Sequence, residues 1–192
     1  MRMRAAWGSG VAAVAAFLLS PPARAGVEKD VELGAVPKAV LSVAERVLED
    51  PRILAGDTQT GEDDEGSARA LEQLRSKLAG ARLVGANTET ETDGSYVYEI
   101  RAVLADGRRI EIDVFPEGRI EEIEVEYRRE DVPGAVLGAI QAKLPGFAPT
   151  FIEASHSGAL KVLAYELEGT LNGAPMDLEV SADGRRIEVA DR

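Results

Sequence analysis

The 192-residue sequence contains no cysteine and a single histidine, His156. Without cysteine there is no disulfide framework, no thiol nucleophile and no thiolate-ligated metal. One imidazole is too few for catalytic zinc, which takes two or three histidine or cysteine ligands. A Ser-His-Asp relay would have to pass through His156, yet its neighbours Ser155 and Ser157 would face away from it on a strand, so the histidine reads as a surface residue near a hairpin end. Aromatic residues make up 5% of the chain and the one tryptophan, Trp7, stands near the start. A glycosidase-type pair of carboxylates in an aromatic-lined cleft therefore finds little support. There is also no Gly-Lys-Ser/Thr phosphate loop and no strand-linked Gly-x-Gly-x-x-Gly. These absences predict a protein that is not an enzyme and that has no cofactor and no metal centre.

Basic residues are scarce as well, 22 against 34 acidic. Three of them cluster at the start: Arg2 and Arg4 precede the apolar run Val11 to Leu19, and Arg24 lies in the small-x-small triplet Ala23-Arg24-Ala25. This is the pattern of an export signal over residues 1–25, with Gly26 as the first mature residue. Loss of those three arginines leaves 19 basic and 34 acidic residues, a net charge of −15. Such a chain lacks the basic patch that nucleic acid or an anionic membrane requires. The apolar run is also well short of the ~20 residues that span a bilayer. The expectation is a periplasmic or secreted protein without stable membrane insertion after cleavage.

What is present is a pattern that recurs. Asp131-Val132-Pro133 opens a helix, with Asp131 placed as its cap and Val136, Leu137, Ile140 and Leu144 on one face. The period then changes to two: Leu163, Tyr165 and Leu167, and after the Asn172-Gly173 turn Met176, Leu178 and Val180, alternate with polar residues. Asp183-Gly184 turns the chain into a last strand around Ile187 and Val189. Upstream, Tyr96, Tyr98 and Ile100 lead through Asp106-Gly107 to Ile110, Ile112 and Val114, and through Glu117-Gly118 to Ile123, Val125 and Tyr127. Val36-Pro37 heads an earlier helix, and Ser67 to Leu78 carries a further helical pattern. Between them, Gly56 to Gly66 holds the run Glu62-Asp63-Asp64-Glu65; it lacks the alternating acids, central glycine and terminal glutamate of a calcium loop and reads as a solvated connection.

The Val-Pro-led helix, the Tyr98-Glu99-Ile100 and Tyr165-Glu166-Leu167 strands and the Asp-Gly, Asn-Gly and Glu-Gly turns resemble the PepSY-like domain, also described as β-lactamase-inhibitor-like, of exported bacterial proteins. The resemblance implies non-enzymatic binding or inhibition of another exported or envelope protein. The resulting expectation is an α+β fold of two tandem modules, each with its helix or helices packed on an antiparallel sheet of three to four strands. The first module spans 26–128, with an inserted loop and extra helix at about 49–80, and the second spans 129–192.

If the apolar residues of the strands point inward, Glu99, Arg101, Glu111 and Asp113 point outward on the first sheet, and Glu166, Glu168, Asp177, Glu179 and Glu188 on the second. The acids Glu99, Glu111, Asp113, Glu166, Glu168, Asp177 and Glu179 are the candidate protein-binding residues. Two other functions fit the same faces: a divalent-cation-binding envelope protein, and a structural protein that only presents surface.

Overall fold

The computed structural model describes residues 27–49, 76, 78, 80–90, 94–157 and 161–190. Nine strands follow one another in space as they do in sequence, each antiparallel to the next. They are β1 (Val27–Val31), β2 (Arg82–Thr90), β3 (Tyr96–Val103), β4 (Arg109–Val114), β5 (Ile120–Glu126), β6 (Ala148–Ser157), β7 (Val162–Leu171), β8 (Ala174–Ser181) and β9 (Ile187–Ala190). Helices α1 (Lys38–Glu49) and α2 (Gly134–Lys143) cover one face.

The connections follow from their turn residues. Asn172 at φ 53° and Gly173 at φ 82° are both left-handed, as a two-residue hairpin between right-twisted strands requires. Val40, Val43, Ala44 and Val47 repeat at helical spacing on α1 and are buried against Ile100, Ile110, Ile112, Val114, Ile123 and Val125. On α2, Val136 and Ile140 pack over Ile152, Tyr165, Leu167, Leu178 and Val180. At the C-terminal end of α2, Lys143 Nζ donates to the Ile187 carbonyl at 2.8 Å, tying the helix to the outermost strand.

The tandem-module expectation is overturned. There is one nine-stranded sheet, not two sheets of three to four strands. The expected boundary at 128/129 lies in the connection from β5 to α2, but β5 pairs directly with β6 from Glu122↔Ser157 to Glu126↔Glu153. The Tyr127 amide extends the ladder by donating to Ile152, and the Tyr127 ring packs into both hydrophobic clusters. The physical reason is β6. Its inward positions include Ala154 and His156, so it lacks the apolar alternation that marks its neighbours, and it supplies the partner that keeps β5 from being an edge.

Further corrections are local. Asp131 does not cap α2; it ends a 3-10 turn (Arg129–Asp131), where its carboxylate accepts the Arg128 amide at 3.4 Å, and Pro133 takes the cap position of the helix. Tyr96, expected inward, is 37% exposed. Of the helical pattern Ser67 to Leu78, Ser76 and Leu78 are described and helical, and Leu78 is fully buried in the first cluster; the rest, with the acidic loop at 56–66, lies outside the described residues, as does the leader 1–25.

Candidate functional site

The face of the sheet turned away from α1 and α2 is a field of carboxylates. Antiparallel pairing places them in rows that run across the strands. One row is Asn87, Glu99, Asp113, Glu122 and Ser157; the next is Arg101, Glu111, Glu124 and Ser155. A third is made of five glutamates on five adjacent strands: Glu126, Glu153, Glu166, Glu179 and Glu188. Beside it stand Phe151, Glu168 and Asp177.

All seven candidate acids lie on this face, so the structure unites two groups that the sequence assigned to separate sheets. The acids between the groups, Glu122, Glu124, Glu126 and Glu153, were missed. Glu122, Glu124 and Glu126 alternate with Ile123 and Val125 and were open to the same argument; Glu153 was hidden with the rest of β6. The expectation of free outward exposure fails. Glu99, Asp113, Asp177 and Glu179 retain 1–4% of their accessible surface, while Glu111, Glu166 and Glu168 are half-buried. Their cross-strand neighbours cover them: Glu99 lies between Asn87 and Asp113, and Glu179 lies between Glu166 and Glu188 with Arg186 paired to it.

Cations are interleaved at a few points. Arg109 binds Glu126 Oε2 through its amide at 3.0 Å and Nε at 3.3 Å, and stacks 4.1 Å over the Phe151 ring. Arg101 reaches Asp30 at 3.3 Å, and Arg186 pairs with Glu179 at 3.3 Å and Glu188 at 3.7 Å. Glu99 accepts from Asn87 Nδ2 at 3.3 Å. One carboxylate oxygen each from Glu99, Glu111 and Asp113 falls within 4.8 Å of the others, an all-oxygen set of the kind hard cations take.

Burial pushes the Glu179 carboxyl above its usual range; Arg186 opposes the shift, and Glu188 and Glu122 add to it. A carboxyl raised by folding contributes stability that is present below the unfolded value and lost as pH rises through the folded one. Glu179→Gln should therefore raise the thermal midpoint at pH 7, and the gap should close at about pH 3, where both states of the wild type are protonated. Circular dichroism melts at the two pH values test this, and a midpoint lowered at pH 7 would contradict it.

On the other face, His156 is 2% exposed and points into the core, not to the surface near a hairpin end as expected. It continues the inward alternation of Ile152 and Ala154 and pairs with Ile123 on β5, while the register shift in the pairing with β7 leaves Leu163 as the extra residue. Nδ1 lies 3.2 Å from the Ile123 carbonyl and Nε2 lies 3.2 Å from the Tyr127 hydroxyl. Tyr127 in turn meets Tyr165 edge-on, with ring centroids 5.9 Å apart. Burial, with Tyr165 and Asp131 nearby, pushes the Tyr127 hydroxyl well above its ordinary value.

No family model matches the chain, and no curated protein matches it. Solved structures give distant likenesses. A DUF2874 family protein from Bacteroides uniformis is 13% identical, with 67% of this chain and 90% of that one covered at a TM-score of 0.42. A protein of unknown function from Bacteroides vulgatus, assigned provisionally to the periplasm, is 19% identical, with 70% and 97% covered at a TM-score of 0.34. Similarity at this level carries no functional argument. Among the described residues no helix is long and apolar enough to cross a membrane.

Proposed function

We propose that this is an exported, non-enzymatic binding protein related to the PepSY-like proteins, and that it engages a basic segment of another exported or envelope protein through the acidic sheet face. The row Glu126, Glu153, Glu166, Glu179, Glu188 carries the reading. Like charges directly opposite one another on neighbouring strands cost roughly 0.2–1 kcal/mol per pair, so four successive pairs are a poor way to build a sheet and a good way to present negative potential. Complementary charge acts mainly on the encounter rate.

The test is association kinetics of the mature chain with an oligolysine peptide, at 0.1 M and 1 M salt. Screening shortens from ~10 Å to ~3 Å over that range, and the on-rate should fall about tenfold or more. A variant carrying Asp177→Asn and Glu179→Gln should associate more slowly at low salt while melting as a folded protein. If neither salt nor the substitutions change the on-rate, the face serves solubility alone. The divalent-cation reading expects something else: a calorimetric titration with calcium that saturates at a fixed stoichiometry and is abolished by Asp113→Asn, with Glu99 and Glu111 supplying the other carboxylates of that set.

A further inference from the structure

We propose that His156 is an acid-sensitive lock on the seam between β5 and β6, so that protonation of this one ring loosens the join between the two helix-covered halves of the sheet. The Ile123 carbonyl only accepts, so Nδ1 must carry a proton to bond it at 3.2 Å. With Nδ1 protonated, a neutral ring leaves Nε2 as an acceptor, and the Tyr127 hydroxyl at 3.2 Å donates to it. These bonds fix the tautomer of the neutral ring, and burial at 2% exposure is what disfavours the charged one.

A second proton would have to enter at Nε2. It would face the hydroxyl that now donates there, force that hydroxyl to turn its own proton elsewhere, and place a full charge on a side chain that is 98% buried. Tyr127 cannot compensate by ionising, because burial holds its proton firmly. Among the groups that act on Tyr127 are the Tyr165 hydroxyl from β7, Asp131 from the turn before α2 and Arg108 just before β4; Asp131 and Arg108 are joined at 3.3 Å.

The position gives the proton its leverage. Both partners of His156 lie on or just after β5, and Tyr127 is the side chain shared by the two hydrophobic clusters. Protonation therefore acts where the halves meet. The protein becomes looser there as pH falls below the ordinary histidine range and regains the join as pH rises.

Because the chain has a single histidine, its imidazole resonances report on this site without assignment. The experiment follows the ring by NMR in the mature protein from pH 8 to pH 5, alongside amide exchange. The expected result is a ring that stays neutral at pH 6, with Nδ1 protonated. As it protonates at lower pH, exchange in the Glu122–Glu126 and Glu153–Ser157 ladder should accelerate at least about tenfold, with the β3–β4 and β7–β8 ladders unchanged. Tyr127→Phe removes the donor to Nε2 and should move protonation to higher pH. His156→Gln, whose amide can both donate to Ile123 and accept from Tyr127, should keep seam exchange independent of pH. Should that variant fail to fold, the wild-type titration decides alone. A ring that titrates at its ordinary value of about 6.5 with no change in seam protection overturns the proposal.

Discussion

Gly169→Ala should destabilise the protein by on the order of 3 kcal/mol, and Gly169→Val should not fold. Gly169 sits on β7 opposite Pro149, and a Cβ there would lie 2.4 Å from the Ala148 carbonyl oxygen, 2.8 Å from the Phe147 ring and 2.9 Å from Pro149 Cα. Two of those three atoms are backbone, so no rotamer change relieves the clash; β6 itself must move away from β7. The pairing is irregular between Pro149 and Phe151, and the Phe147 ring beside this glycine belongs to the second cluster. Gly138→Ala on α2 is the control. Apart from its two chain neighbours and the helix's own backbone, no atom lies within 4 Å of the added carbon, and removing a mid-helix glycine should stabilise by about 1 kcal/mol. Urea midpoints of the two variants should therefore move in opposite directions. A Gly169→Ala protein as stable as wild type would mean that β6 and β7 are not held in this register.

Ile112→Ala should cost about 2–5 kcal/mol, because the side chain is fully buried at the centre of β4, beneath α1, and its neighbours on β3 and β5, Ile100 and Ile123, are themselves fully buried and cannot collapse into the space. Val189→Ala, at a residue 53% exposed, should stay within about 0.5 kcal/mol. Equilibrium unfolding in urea measures both, and equal shifts would refute the assignment of Ile112 to the core.

The strands that were legible in the sequence, β3, β4, β5, β7, β8 and β9, have apolar residues on one face and charge on the other, and their turns carry glycine where the backbone needs it. Both helices were legible too, from the Val-Pro pairs at 36–37 and 132–133. What stayed hidden were strands whose buried positions are small or polar. β2 buries Ala86 and Thr88, and β6 buries Ala154 and His156, so neither offers the contrast that periodicity detects. Missing β6 had the larger effect, because it turned one sheet into two and left the acidic row with a gap in its middle. The candidate acids were found through alternation, which fixes the face a residue occupies. Alternation says nothing about which side chains flank it across the strands, and those neighbours cover Glu99, Asp113, Asp177 and Glu179.

An open sheet of nine strands ends in two rows of hydrogen-bonding groups, and such rows recruit strands from other molecules unless something obstructs them. The contact from Lys143 to the Ile187 carbonyl is such an obstruction: an incoming strand would have to displace an ammonium from the acceptor it needs and would meet the charge at close range. β9 is also only four residues long, and beyond its end β8 carries Pro175, which has no amide to offer. At the other margin β1 presents Lys29 and Asp30 to solvent. The same helix that seals the second cluster thus also obstructs strand addition at this margin.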